Sequence, residues 1–158
     1  MSVSSPQKAG SAKARAQAAR LAAVQALYEL SQNRRDLKSL ATDYESANQT
    51  VEGDALVPPD AELLKRILSG VVDRFSDIDA IVRANLNAKG DAGKEPEPLL
   101  RSILLAGTYE IMAHQDIDFP IIINDYVNVA HSFYSPGEAR LVNAVLDAIQ
   151  PQFRSVQS

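Results

Sequence analysis

The sequence predicts an all-α protein. Three observations carry that expectation. Apolar residues recur at three- and four-residue spacing in most segments, no useful stretch alternates apolar and polar residues, and capping residues and prolines fall where helices would begin. Ile121-Ile122-Ile123 has strand propensity, but no second strand is available to pair with it.

Residues 1–11 mix Ser, Pro, Gly and Lys, which predicts a disordered basic N-terminal tail. Ser11 is placed to cap a helix starting at Ala12, where Ala16, Ala19, Ala23, Ala26, Leu27 and Leu30 share one face. The small size of these residues allows another helix to approach closely. Ser31-Gln32-Asn33 ends that pattern, and Leu37, Leu40, Ala41 and Tyr44 predict a weaker second helix. Residues 48–59, with Gly53 and Pro58-Pro59, read as a loop. Asp60 caps the next helix, with an apolar stripe from Leu63 to Phe75; Ile78, Ile81 and Val82 continue it or begin a new segment after Ser76. Gly70 lies inside this stripe at a cost of about 1 kcal/mol relative to Ala, which a close helix crossing would explain.

Residues 87–98 form the clearest linker, separating helical segments at 12–86 and 99–151. A helix runs from Leu99 to about His114, and after a turn at Asp116–Phe119 another follows with Pro120 in its first turn. Ser135-Pro136-Gly137-Glu138 is the strongest local signal. Ser fits the cap, Pro the first helical position and Glu the third, and Leu141, Val142, Val145, Leu146 and Ile149 follow before Pro151.

The chain has 158 residues, enough for one domain with a sizeable core, and no cysteine, which excludes disulfides and thiolate metal sites. No apolar run reaches the length of a membrane span, and the polar N-terminus lacks the apolar region of a secretory signal, so a cytoplasmic protein is expected. The net charge is −4, yet residues 1–35 carry Lys8, Lys13, Arg15, Arg20, Arg34 and Arg35 against Glu29 alone. A basic leading segment on an acidic body suits a face that meets an anionic partner, and equally a solvated tail.

Chemistry is hard to place. His114 and His131 lie on different predicted helices, and no carboxylate pair flanks either at metal-binding spacing. No phosphate loop, nucleophile elbow or paired Glu-His motif occurs, so no catalytic residue, metal or cofactor is expected. Asn124-Asp125 reads as local capping and first-turn charge rather than a site. The basic helix says more. Lys13, Gln17 and Arg20 fall at i, i+4 and i+7, on a stripe apart from the alanines, with Arg15 at the same end. Two to four cations there suit a short phosphate track. Tyr28, two turns beyond Arg20, offers either an aromatic face for base stacking or a half-buried core residue.

Taken in order, these segments resemble the NusB family of transcription antitermination factors. Arg20 with Ala23-Val24-Gln25-Ala26-Leu27-Tyr28 resembles the family's first helix, and Gly70-Val71 with Ile78-Asp79 its third. Tyr109-Glu110-Ile111, Pro120 followed by Ile123-Asn124-Asp125, Ala130 to Phe133 and Val142-Asn143-Ala144-Val145-Leu146-Asp147 are similar to its later blocks. The likeness runs from about Arg15 to Arg154. It implies two three-helix subdomains packed into one domain, and binding of boxA leader RNA with ribosomal protein NusE in an RNA polymerase antitermination complex. It also implies that the protein is a monomer or a homodimer. By position, Lys13, Arg15, Gln17, Arg20 and Tyr28 become the RNA-binding candidates. The resemblance adds Arg140 to them and Leu141 as the partner contact.

The chain departs from the family pattern in places. Ala16, Ala18 and Ala19 dilute the arginines of the first helix, Leu105 stands where Arg is usual, and Tyr134 and Ala144 stand where Gly is usual. Weaker RNA binding, with more dependence on NusE, is the expected consequence. Two other readings stay open: a protein-binding scaffold or homodimer without specific RNA binding, and a NusB-like accessory domain of ribosomal RNA modification.

Overall fold

The computed structural model describes residues 10–33, 37–45, 50–52, 55–88 and 95–154; residues 1–9 of the tail expected at 1–11 and residues 89–94 of the linker expected at 87–98 lie outside these. Among the described residues seven helices follow in order: α1 (Ala12–Asn33), α2 (Leu37–Glu45), α3 (Ala61–Asp73), α4 (Phe75–Leu86), α5 (Pro98–Ala113), α6 (Phe119–Phe133) and α7 (Pro136–Phe153). Between α2 and α3, where a plain loop was expected, β1 (Thr50–Glu52) pairs antiparallel with β2 (Ala55–Val57). Three residues a side are too few for alternation to be read from sequence.

Two of the three expected caps, Ser11 and Asp60, form. Ser11 Oγ accepts from Ala14 N at 3.0 Å, and Asp60 Oδ1 accepts from Leu63 N at 3.1 Å. Glu97 caps α5 by accepting from Leu99 N at 3.0 Å. At α7 the Ser135–Glu138 pair closes side chain to side chain, with Ser135 Oγ donating to Glu138 Oε1 at 2.7 Å and no side-chain bond to the backbone. Pro151 does not end α7, which runs two residues further. The stripe from Leu63 to Val82 breaks at Arg74, which separates α3 from α4. Ile121–Ile123 is helical, with Ile122 and Ile123 buried against the core.

One apolar cluster runs through both halves of the chain. Its axis is α1, which packs against α2, α3, α5 and α6. The alanines make this possible. Ala18, Ala19, Ala22, Ala23 and Ala26 have no exposed surface, so α1 is enclosed on several sides rather than along one stripe. The crossing of α3 on α5 explains Gly70, since a methyl there would overlap the Tyr109 ring.

Arg154 fastens the C-terminal end. Its guanidinium donates to Ile111 O at 3.0 Å, Ile117 O at 2.5 Å, His114 O at 2.8 Å and Glu110 O at 3.4 Å, tying the end of α7 to the last turn of α5 and the turn that follows it.

Candidate nucleic-acid interface

The start of α1 presents part of the predicted basic stripe. Lys13 is exposed, and Arg15 and Gln17 are half-buried. The backbone there is fixed by Asp60 N, which donates to Arg15 O at 3.0 Å and ties α1 to the entry of α3.

Arg20 does not share that surface. It is 2% exposed, and its guanidinium is taken up by two carboxylates. Nε donates to Glu110 Oε2 at 2.7 Å, Nη2 to Glu110 Oε1 at 2.9 Å, and Nη1 to Asp125 Oδ2 at 2.8 Å. The expectation that Arg20 points outward is therefore corrected. The alanines around it extend the buried face of α1 far enough to enclose position 20.

Glu110 is the centre of this network. Besides Arg20 it receives Tyr126 Oη at 2.6 Å, and His114 Nδ1 lies 2.8 Å from Oε1. Burial alone would push its carboxyl up, but the hydrogen bonds from His114 and Arg20 and the charge of Arg20 outweigh this and hold it at about 2. An ionised carboxylate only accepts, so His114 carries its proton on Nδ1. Asp125 goes the other way. Burial raises its carboxyl, and Arg20 offsets this only in part. Tyr126, buried among these charges, is pushed well above the ordinary phenol range. Asp125 thus holds Arg20 from the interior of α6 and is not a first-turn residue.

Beside this network, α1 and α6 enclose a notch of about 150 Å³ lined by Gln17, Leu21, Asp125, Asn128, Val129 and Ser132. Gln17 Nε2 donates to Asp125 Oδ1 at 3.4 Å, a long bond. On the adjoining stripe of α6, Val127 and His131 form a groove of about 420 Å³ with Pro136, Ala139, Arg140 and Asn143 of α7. Arg140 is exposed there, and Leu141 is half-buried against the core. Tyr28 is 38% exposed, but fifteen residues along α1 place it about 22 Å from Lys13. Helix α6 therefore lines both the notch that holds Gln17 and the groove that holds Arg140, while Tyr28 lines neither. An apolar groove of about 380 Å³ lies elsewhere, between Leu27, Leu30, Val72, Phe75 and Leu105, with Arg101 stacked 5.0 Å above the Phe75 ring. Its lining is unlike the basic start of α1.

Asn128 and Ser132 were not among the candidates drawn from the sequence. Asp125, Asn128, Val129 and Ser132 fall at i, i+3, i+4 and i+7, so the shared stripe is visible once α6 is drawn as a helix.

Such a helical body, with a basic helix start, an amide- and carboxylate-lined notch and an arginine-edged groove, defines a small protein built for binding. Among the described residues no group of three or more His, Asp or Glu is arranged to hold a metal ion. A profile described as the NusB family matches residues 17–151, and the chain belongs to that family. It is 36% identical over 139 residues to the transcription antitermination protein NusB of Allorhizobium ampelinum, covering 87% of this chain and 86% of that protein. It is 38% identical to the protein of that name from Bradyrhizobium diazoefficiens, covering 87% and 84%. Among solved structures, T. maritima NusB superposes with a TM-score of 0.68 at 22% identity over 86% of this chain and 90% of that one. A chain from a crystal structure of antitermination factors NusB and NusE in complex with dsRNA gives 0.69 at 20% identity over 87% and 96%. The fold is therefore that of NusB.

Proposed function

We propose that this protein is a non-catalytic transcription antitermination factor. It binds boxA-type single-stranded RNA together with ribosomal protein NusE, within an RNA polymerase complex that supports ribosomal RNA transcription in the cytoplasm. The observation that carries the reading is the family match over residues 17–151, together with the open, basic start of α1 at its edge. Lys13, Arg15 and Gln17 contact RNA in this reading, Arg140 extends the contact onto α7, and Tyr28 stacks on a base where the RNA reaches it. Arg20 serves from the interior by holding α1 in place. Leu141 belongs to the NusE contact. No helix among the described residues is long and apolar enough to cross a membrane.

With few free cations at the α1 start, the phosphate term is small and RNA binding leans on the partner. The test is a titration of labelled boxA RNA against a scrambled and a double-stranded control, with and without NusE, at near-physiological salt. Selective binding that tightens with NusE is the expected result. Equal, weak binding to all three RNAs with no effect of NusE would overturn it. That outcome would favour a protein-binding scaffold, for which the apolar groove beside Phe75, itself 40% exposed, is the supporting observation.

A further inference from the structure

The stripe of Lys13, Gln17 and Arg20 is basic in sequence, but the fold changes its charge. Arg20 is the one fixed cation of the buried centre, and two carboxylates face it. Glu110 takes two of its N–H groups, Nε at 2.7 Å and Nη2 at 2.9 Å, and Asp125 takes Nη1 at 2.8 Å. One guanidinium balances one carboxylate, so the second leaves an excess negative charge. Glu110 has the fuller set of partners, since Tyr126 donates to it at 2.6 Å and His114 Nδ1 lies 2.8 Å away. The excess falls on Asp125, whose Oδ1 has only the 3.4 Å contact from Gln17 Nε2. The two carboxylates also differ in place. Glu110 has no exposed surface, whereas Asp125 is 8% exposed and lines the notch between α1 and α6. Its charge therefore sits beside Gln17, one helical turn from the exposed Lys13. A carboxylate so nearly buried is poorly screened by salt, and its field reaches the start of α1. The charges of Lys13 and Arg20 are cancelled by those of Glu110 and Asp125. No other group around Asp125 alters the count. Gln17, Leu21, Tyr126, Asn128 and Ser132 are uncharged, His114 meets Glu110, and His131 and Arg140 line the adjoining groove between α6 and α7.

From this arrangement we infer that Asp125 is an electrostatic brake on RNA binding at the start of α1, released when its carboxyl takes up a proton. The inference rests on the RNA-binding reading above and names a control on that site. RNA phosphates brought to Lys13 and Gln17 meet the uncompensated carboxylate, which opposes them. A proton on Asp125 removes the opposing charge and leaves Arg20 balanced by Glu110 alone, so the Lys13 ammonium acts unopposed. Burial already raises the Asp125 carboxyl, while Glu110 is held at about 2 and stays ionised. Linkage makes the effect reciprocal. Binding tightens as pH falls, and bound RNA draws a proton onto Asp125.

Two measurements test it. The first compares the affinity of labelled boxA RNA for wild type and Asp125→Asn with saturating NusE, at about 50 mM and about 300 mM salt. Asparagine fills the same space and keeps an acceptor for Arg20 Nη1, so thermal unfolding should stay within a few degrees of wild type. At neutral pH the variant is expected to bind roughly 3- to 10-fold tighter at the lower salt, with the gap narrowing at the higher. The second follows the side-chain carboxyl carbon of Asp125 in the wild type by NMR from about pH 7 to about pH 4, with and without RNA. Its titration should move to higher pH when RNA is bound. This measurement needs no substitution, so it decides the matter even if Asp125→Asn fails to fold. A folded Asp125→Asn protein that binds RNA no more tightly than wild type would overturn the brake and leave the RNA reading standing. So would an Asp125 titration that RNA does not move. Absence of RNA binding by the wild type would remove both.

Discussion

Arg20 and Glu110 meet as a two-bonded pair across the α1–α5 interface, Nε to Oε2 at 2.7 Å and Nη2 to Oε1 at 2.9 Å, with neither side chain more than 2% exposed. Asp125 brings α6 to the same guanidinium, so three helices share one ionic centre. Removing a single member leaves the others charged and dry. Arg20→Ala and Glu110→Ala are each expected to destabilise the fold by about 3–5 kcal/mol, seen as a fall in the urea midpoint. A midpoint unmoved by either would show that the centre contributes little.

Acid stability follows from the same centre. The folded Glu110 carboxyl sits at about 2, below its ordinary value of 4.5. A carboxyl depressed by folding contributes stability that is fully present above pH 4.5 and is lost as pH falls toward 2, here on the order of 3 kcal/mol. Asp125 is raised instead, so its protonation returns part of that loss. Wild type should weaken between pH 5 and pH 2. Glu110→Gln should start lower at pH 7 and decline less steeply. Urea titrations across that range check this, and parallel declines would remove Glu110 as the cause.

The helices and their caps were legible because their causes are local. Ser11, Asp60 and the Ser135–Glu138 pair each act within three residues, and the apolar stripes repeat every turn. The buried ionic centre was not, because Arg20 reaches carboxylates 90 and 105 positions away. Nothing near Arg20 marks it as different from Lys13, and only the packing of α1 against α5 and α6 separates them. Asp125 looked like a helix-start residue for the same reason. Its distance from the true start at Phe119 became meaningful only once Arg20 was found opposite it. The β1–β2 pair was too short to read, and the α1–α6 notch required two helices to be set side by side.

Gly70 and Tyr109 provide a test of the α3–α5 crossing. Alanine is the better helix former by about 1 kcal/mol, yet its methyl group would overlap the Tyr109 ring. Gly70→Ala alone should therefore destabilise by about 1–3 kcal/mol. In a Tyr109→Ala background the overlap disappears and only the helix preference remains, so the same substitution should become neutral or stabilising. Thermal melts of the four proteins form the cycle. A Gly70→Ala effect that keeps its size and sign in both backgrounds would mean the ring is not what requires glycine.

Arg154 should matter despite lying at the end of the described chain. Arg154→Ala removes the guanidinium from the carbonyls of Glu110, Ile111, His114 and Ile117 together, with an expected loss of about 2 kcal/mol. Lysine keeps the charge, but its compact ammonium cannot span four acceptors, so Arg154→Lys should recover less than half of that loss. Full recovery by lysine would make charge at the end of α5, rather than the guanidinium fork, the stabilising element.

The α1 cations separate RNA contact from fold support. Lys13 is exposed and Arg15 half-buried, so replacing both by alanine should leave the urea midpoint nearly unchanged. Each lost phosphate contact should reduce the slope of log affinity against log salt by about 0.7 for a single strand. Adding Arg140→Ala should lower it by a similar further step if α7 shares the track. Arg20→Ala is the informative contrast, since its damage should appear first in stability, and any loss of RNA binding should follow the unfolded fraction. RNA titrations at three or more salt concentrations measure the slopes. An unchanged slope in the Lys13→Ala, Arg15→Ala protein would move the RNA away from the start of α1, and the Arg140 groove between α6 and α7 would then be the surface to alter next.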